Sequence, residues 1–320
     1  MRCAARLAGA LSAALALAAF TTPAGQAAAL GKQRVLAVLV SYGDRPFTQA
    51  QVSSAVGEAG AFFERSSYGR MSLVPTVTPW LRANVARPSC SGGTSAAPDS
   101  ILGSARGAAA AAGYRRADYD RVLYFIGGER CGYTGVQTGQ EAVLLTPDAH
   151  LVVHELGHTF GLPHAAGTPY CAVWCVTRDQ GDLFDPMGAG FTDFGSYEKE
   201  YLGWIPRQRR VTRSGTYTID RAGARTRDRQ ALVIDTEKAQ FWLEQNPTRS
   251  TPGLIVRFVT PDTAWDGFIA QSTLLLSPVH QGHATITPRQ VLKVAGAFTV
   301  RVQPSRMLPL RVRITLAQTN

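Results

Sequence analysis

The pattern of hydrophobic and polar positions predicts alternating strands and helices in the first part of the chain. Residues 34–41 form a continuous apolar run typical of a buried strand, and residues 48–65 follow with apolar side chains at helical spacing. Further strands are predicted at 71–77, 121–126 and 141–145, with a helix at 100–112. This alternation predicts a mixed α/β (α+β) domain whose sheet faces are covered by helices.

Beyond residue 205 the pattern changes to short strands. They are predicted at 215–219, 231–234, 241–245, 254–258, 273–276, 291–294, 298–302 and 310–316. Short runs separated by turn residues are typical of antiparallel sheets, and a sandwich is the favoured arrangement. We therefore expect two domains, 30–205 and a β-rich C-terminal domain at 206–320, with no long linker between them.

The first 29 residues have the composition of an export signal. Arg2 and Arg6 precede an apolar run at 7–20, and Ala27 and Ala29 supply a small-x-small cleavage site. The run has 14 residues, whereas a helix that spans a bilayer needs about 20 apolar residues. We expect residues 1–29 to be a signal peptide and the mature protein to be secreted, with no transmembrane segment.

Composition and charge narrow the function classes. The chain has 320 residues, of which 45% are hydrophobic and 18% charged, and this excludes a disordered polymer. Residues 30–204 hold 14 basic and 16 acidic residues, whereas residues 205–320 hold 17 basic and 7 acidic ones. A basic C-terminal domain is either a solvated surface or a site for an anionic cell-wall or surface polymer, a membrane surface or an acidic substrate. No recognition helix or zinc knuckle accompanies the charge, so nucleic acid is not expected.

Four cysteines remain after the predicted signal peptide, namely Cys90, Cys131, Cys171 and Cys175. An even number in an exported chain suggests two disulfides. Three pairings are compatible with the sequence. We favour Cys90 with Cys131 and Cys171 with Cys175, because the last pair closes a short loop.

Three of the six histidines lie within eleven residues, in the segment HELGHTFGLPH. A helix that begins near Thr146 and Pro147 places His154 and His158 on one face, one turn apart. Gly161 suits the left-handed conformation that ends a helix, so the chain can turn and bring His164 towards the same ion. Three neutral imidazoles suit one Zn²⁺ ion and leave a fourth position open.

Glu155 follows the first of these histidines and indicates the type of reaction. A carboxylate beside the open position can take a proton from metal-bound water and pass it to a departing amine. The acidic stretch at 179–185 could hold a structural Ca²⁺ ion if its carboxylates converge, but the spacing of a calcium-binding loop is absent, so this second ion is unsupported.

The segment HELGHTFGLPH resembles the extended H-E-x-x-H-x-x-G-x-x-H signature of the metzincin metalloendopeptidases. This resemblance implies that Met187, in the turn-forming segment FDPMG, lies beneath the zinc ligands. The segments SYG at 67–69 and YEK at 197–199 are similar to gametolysin-type and related bacterial secreted metallopeptidases. The resemblance covers roughly residues 34–204.

The resemblance further implies an endopeptidase whose substrate lies antiparallel along an edge strand, for which the strand at 141–145 is the candidate. Some metzincins have a tyrosine two residues after the turn methionine, where this chain has Ala189. Tyr170, Tyr197 and Tyr201 are then the candidates for stabilising the transition state, each with a structural role as the alternative.

We therefore expect a secreted zinc-dependent endopeptidase that binds protein or peptide substrates. His154, His158 and His164 would bind the zinc ion, and Glu155 would be the general base and acid. Two alternatives stay open. One is a non-catalytic zinc-containing protein that binds a cell surface or wall. The other is a zinc amidase that acts on cell-wall crosslinks.

Overall fold

The structure is a computed structural model of the chain. It describes residues 29–87, 97–127, 134–169, 177–221, 229–248, 253–264, 268–276, 284–304 and 309–317. The predicted signal peptide, except Ala29, and all four cysteines of the predicted disulfides lie outside these residues. Within the described part, no helix is both long and apolar enough to cross a membrane.

The first sheet has five strands in the order β2-β1-β3-β5-β4. The strands are β1 (Gly31–Ser41), β2 (Met71–Arg82), β3 (Arg121–Ile126), β4 (Gly135–Thr138) and β5 (Glu141–Leu144). Strands β1, β2, β3 and β5 run parallel to one another. Strand β4 is antiparallel to β5. The sheet is therefore mixed.

Four helices accompany this sheet: α1 (Gln49–Ser66), α2 (Ala97–Ala111), α3 (Ala149–Thr159) and α4 (Ser196–Tyr201). Alternate residues of β1 point to opposite faces, as the two-residue period of a strand requires. Val35, Ala37 and Leu39 pack with α1 and α3, whereas Leu36 and Val38 face α2. Both faces of the sheet are thus covered, which explains the continuous apolar run of β1.

One prediction for this sheet is wrong. The strand predicted at 141–145 pairs on both of its sides, with β3 and with β4, and is not an edge strand. Among the described residues, β4 is the outer strand on this side of the sheet. The predicted helix start is also displaced: the N-cap of α3 is Asp148, whose carboxylate accepts a hydrogen bond from Leu151 N at 2.9 Å, and not Thr146.

The rest of the chain forms two further sheets. Their strands are β6 (Ala166–Pro169), β7 (Arg209–Arg210), β8 (Gly215–Ile219), β9 (Ala231–Asp235), β10 (Gln240–Gln245), β11 (Leu254–Val259), β12 (Ser272–Leu276), β13 (Val291–Val294), β14 (Phe298–Val302) and β15 (Leu310–Leu316). One sheet has the order β6-β12-β11-β10-β9-β7 and the other β13-β14-β15-β8. The eight short strands that the sequence predicts are all present, within one residue at each end.

These two sheets share one hydrophobic core. Leu243 and Val256 of the six-stranded sheet belong to the same buried cluster as Val300 and Val312 of the four-stranded sheet. Strands β8, β9, β10, β11, β13, β14 and β15 contribute alternate residues to this cluster, which is the packing of a sandwich. The protein is therefore a sheet-rich α+β structure with few helices.

Strand β6 lies before residue 205 in the chain, yet it belongs to the six-stranded sheet. It pairs in parallel with β12, with Ala166 opposite Thr273. The division of the chain near residue 205 stays a prediction. The segment that follows His164 is nevertheless held by strands from the C-terminal part of the chain.

Candidate metal centre

Helix α3 and the turn after it bring the three histidines of the motif together. His154 and His158 lie one turn apart on α3, and Gly161 has a φ of 87°, in the left-handed region that favours glycine. The chain reverses there and brings His164 back beside the helix. The ring centroid of His164 lies 5.2 Å from that of His154 and 4.9 Å from that of His158.

The three imidazoles present one nitrogen each to a common point. One nitrogen from each ring lies within 4.8 Å of the others, and this is the only such cluster of His, Cys, Asp and Glu groups among the residues that the structure describes. The Nε2 atoms of His154 and His158 are 3.2 Å apart. This separation is close to the edge of a zinc-centred tetrahedron, roughly 3.3 Å for Zn–N bonds of about 2.0 to 2.1 Å.

Each ring is oriented by a hydrogen bond from its other nitrogen. The three bonds are His154 Nδ1 to Pro186 O at 2.8 Å, His158 Nδ1 to Leu162 O at 2.7 Å and His164 Nδ1 to Asp179 Oδ2 at 2.7 Å. A carbonyl oxygen only accepts, so Nδ1 of His154 and His158 carries the proton and Nε2 keeps a free lone pair. This is the arrangement that fixes a metal-binding tautomer.

The charge state of the buried rings also suits a metal. Burial lowers the pKa of His154 to about 4 and that of His158 to about 3, so both rings are neutral at neutral pH. Two neutral rings whose lone pairs face each other at 3.2 Å repel unless a cation lies between them. The three histidines could therefore hold a metal ion.

Glu155 lies next to this cluster as a buried and incompletely bonded carboxyl group. The residue is 3% exposed, and burial raises its pKa to about 8. Its Oε2 atom has no hydrogen-bond partner among the described residues. A buried polar oxygen without a partner is costly, so one that lines a cavity is poised for a ligand or a substrate proton.

The site opens into a cavity of about 770 Å³. One wall is β4, the outer strand of the first sheet, and the C-terminal part of the chain adds Phe268. Besides the three histidines, the cavity lining includes Gly135, Val136, Gln137, Glu155, Gln180 and Phe268. Gly135 packs so closely on Glu155 that a Cβ at this position would overlap the carboxylate.

Met187 packs against helix α3. The residue is fully buried, and a Cβ on Gly157 would overlap its Sδ atom. The turn that contains Met187 is stabilised by Asp185, whose Oδ1 atom accepts a hydrogen bond from Met187 N at 2.9 Å. Pro186, between these two residues, supplies the carbonyl oxygen that orients His154.

The acidic stretch at 179–185 does not bring three carboxylates together as a candidate ion site within the described residues. Asp179 bonds to His164, whereas Asp182 Oδ2 accepts from Arg257 Nε at 2.6 Å. Asp185 accepts from backbone nitrogens, including that of Gly195 at 2.7 Å. The side chains therefore serve separate partners instead of surrounding a calcium ion.

Two of the three tyrosine candidates, Tyr197 and Tyr201, lie outside the cavity lining. Tyr197 packs edge-on against Trp242, with ring centroids 5.4 Å apart, and Tyr201 packs against the core under the first sheet. Neither residue lines the cavity. Tyr170 lies outside the described residues.

Two residues of the site carry no sequence signal. Asp179 orients His164, and Gln180 directs its Nε2 atom to within 3.0 Å of His164 Nε2. Gln180 also has a φ of 54°, a conformation that is uncommon for residues other than glycine. A hydrogen-bonded bridge between Gly167 and Arg178 brings this loop to the cluster, and nothing in the spacing of the motif predicts it.

Comparisons with known proteins give little further guidance. No family model and no curated protein matches this sequence. The crystal structure of wild-type OgpA from Akkermansia muciniphila is 10% identical, with a TM-score of 0.31, and the match covers 78% of this chain and 94% of that one. A second structure is that of catalytically inactive OgpA from the same organism in complex with an O-glycopeptide (glycodrosocin) substrate. It is also 10% identical, with a TM-score of 0.29, and the match covers 90% of this chain and 81% of that one. TM-scores of this size do not establish a shared fold.

Proposed function

We propose that this protein is a secreted zinc-dependent endopeptidase of the metzincin type. The observation that carries the proposal is the set of three oriented imidazoles beside a buried, unpaired carboxylate in one cavity. His154, His158 and His164 would hold the ion. A bound zinc ion acts as a Lewis acid that polarises a carbonyl oxygen and lowers the pKa of water to about 7.

Glu155 is the proton carrier in this proposal. A carboxyl group whose pKa burial raises to about 8 takes up a proton near neutral pH, and a cation at the histidines shifts that pKa downwards. The pKa can thus lie near the working pH, as general acid–base catalysis requires. The Glu155 carboxylate receives a proton from the attacking water and delivers it to the leaving amine. One residue therefore serves as both general base and general acid.

The outer strand β4 offers the surface on which an extended peptide would lie. Gly135, Val136 and Gln137 of β4 line the cavity, and an outer strand has backbone groups that can pair with another chain. We propose that the substrate pairs with β4, and not with the strand at 141–145. Gln180, whose amide reaches the cluster, would donate a hydrogen bond to the carbonyl oxygen of the bond that is cleaved.

Two alternatives are a non-catalytic zinc-binding protein and a zinc amidase that acts on the cell wall. A purely structural zinc site has four protein ligands and no use for an unpaired glutamate, so a non-catalytic binding protein leaves Glu155 without a role. A cell-wall amidase uses the same chemistry, since both reactions cleave an amide. Digestion of purified wall material beside a protein substrate separates the two enzymes.

The Glu155→Gln variant tests the proposal most directly. Purified wild-type protein should contain one zinc ion per chain and cleave casein, and a chelator should stop the cleavage. The variant should keep its zinc and its unfolding temperature but lose activity by a factor of about 10² to 10⁴, because only the proton carrier is removed.

His158→Ala is the matched control, since it should lose the metal as well as the activity. Retained cleavage by Glu155→Gln would contradict the assigned role. A digest of an O-glycosylated peptide and its unglycosylated counterpart, run in parallel, would separate a sugar-directed activity from general proteolysis.

We also propose that residues 1–29 are removed on export. Mass spectrometry of protein recovered from the culture medium should give an N-terminus at or near Leu30. An intact N-terminus on the recovered protein would contradict the signal peptide.

A further inference from the structure

The four-stranded sheet has one buried face and one exposed face. Along β15, Leu310, Val312 and Ile314 are buried in the shared core, and the residues between them point outwards. The same alternation holds for β14. The outer face of this sheet is open to solvent in the described part of the chain, so its side chains do not pack into the shared core.

Three arginines form a compact group on this face. Arg301 of β14 lies directly opposite Arg313 of β15. Arg311 lies two positions before Arg313 on β15. Residues directly opposite on antiparallel strands have Cβ atoms about 5 Å apart, and residues two positions apart on a strand are separated by roughly 7 Å. All three side chains are exposed, and Lys293 of β13 lies exposed on the same face.

The sequence around this group is poor in acidic side chains. Residues 267–320 contain neither aspartate nor glutamate. Within the described part of the chain, the twelve ion pairs do not include Arg301, Arg311 or Arg313. Like charges that lie directly opposite on neighbouring strands destabilise a sheet. This arrangement therefore works against stability, which indicates that it serves a ligand.

Threonine hydroxyls complete the face. Thr216 lies opposite Arg313, and Thr218 lies opposite Arg311. Thr299 and Thr315, which are opposite each other on the next pair of strands, extend the row. The surface thus combines guanidinium groups, which bind carboxylate or sulfate oxygens in pairs, with hydroxyls that donate and accept hydrogen bonds.

We propose that this face binds an acidic polysaccharide that carries carboxylate or sulfate groups. The sugar hydroxyls would bond to the threonines, and the acidic groups would pair with Arg301, Arg311 and Arg313. A nucleic acid is a poorer fit, because none of the described outward-facing residues of these strands is aromatic and could stack on a base. A membrane is a poorer fit as well, since Val291 is the single large apolar side chain exposed on the described part of the face.

Binding to defined polymers tests this proposal on the full-length mature protein. Affinity electrophoresis would use polygalacturonate for carboxylate groups, dextran sulfate for sulfate groups and neutral dextran as the blank. We expect the wild-type protein to bind at least one acidic polymer and not to bind neutral dextran. The triple variant R301T/R311T/R313T should bind about tenfold more weakly or worse, because three charge-assisted contacts are lost.

A matched variant separates this face from net charge. K32T/R45T/R82T also removes three exposed positive charges, all far along the chain from the sheet, and should change the affinity by no more than about twofold. The unfolding temperature of R301T/R311T/R313T should be equal to or above that of the wild type, since like-charge repulsion is relieved.

Three results would overturn the proposal. The wild-type protein could fail to bind either acidic polymer, or the two triple variants could weaken binding equally. Alternatively, a single-stranded oligonucleotide or phosphatidylserine vesicles could bind more tightly than both polymers through the same three arginines. Casein cleavage by R301T/R311T/R313T should remain at the wild-type level, so the outcome is independent of the proposed catalytic function.

Discussion

The backbone of Gln180 is held in a left-handed conformation that costs about 1 to 2 kcal/mol for a residue with a Cβ atom. Strain of this kind persists where the surrounding structure holds it, and at this position it directs an amide into the cavity. A residue that served packing alone would gain from being glycine.

We therefore predict opposite effects of Gln180→Gly on stability and on activity. The unfolding temperature should stay the same or rise slightly, because relief of strain offsets the added freedom of the unfolded chain. The value of kcat should fall by about 10²-fold, the loss typical of one donor to the reacting oxygen. Thermal unfolding measures the unfolding temperature, and peptide-cleavage assays measure kcat. A stable variant with unchanged kcat would rule out the proposed role of Gln180.

Gly135 offers a second test at the residue scale. A Cβ at this position would overlap the carboxylate of Glu155, so Gly135→Ala should displace this proposed proton carrier. We expect kcat to fall by at least about tenfold while zinc stays bound, because small displacements of a catalytic group are costly. Gly107→Ala on helix α2, where a Cβ meets open space, is the control and should leave kcat unchanged.

At the scale of elements, a buried arginine of β11 supports the turn that orients His154. Arg257 is 1% exposed and binds Asp182, whose Oδ1 atom also accepts from Phe184 N at 2.8 Å. The same turn continues through Asp185 to the carbonyl oxygen of Pro186. Strand β11 therefore helps to position His154 of the candidate metal centre.

Arg257→Leu should accordingly destabilise the protein by about 3 to 5 kcal/mol, because it leaves buried carboxylates without their cation. Zinc affinity should fall as well. The control is Arg229→Leu, which breaks a partly exposed pair with Asp220 and should cost about 1 kcal/mol or less. Urea unfolding and zinc titration would show the difference, and equal costs for the two variants would contradict the role of Arg257.

The elements also show which features a sequence can reveal. His154 and His158 are one turn apart, and Gly161 ends the helix, so local rules were enough to predict how the ligands meet. The outer strand was missed because strand order depends on contacts between distant segments, and β4 (Gly135–Thr138) has too few apolar residues to be detected. Asp179 and Gln180 were missed for a similar reason, since a long-range bridge to Gly167 places their loop.

At the scale of the whole molecule, the metal centre should contribute to stability. A ligand that binds only the folded state stabilises it by about 2.7 kcal/mol at a concentration one hundred times its Kd. We predict that a chelator lowers the unfolding temperature and that added zinc restores it. His158→Ala should be insensitive to both treatments. An unfolding temperature of the wild-type protein that does not respond to zinc would argue against a metal bound in the native state.

The pairing of β6 with β12 has a consequence for when the candidate site is complete. The loop that holds Asp179 and Gln180 is bridged to β6, and β6 finds its partner more than one hundred residues later in the chain. Because a chain is synthesised from its N-terminus, the histidine motif emerges long before the strand that secures its surroundings. A nascent chain would carry all three histidines of the candidate metal centre and still lack the strand that completes their surroundings.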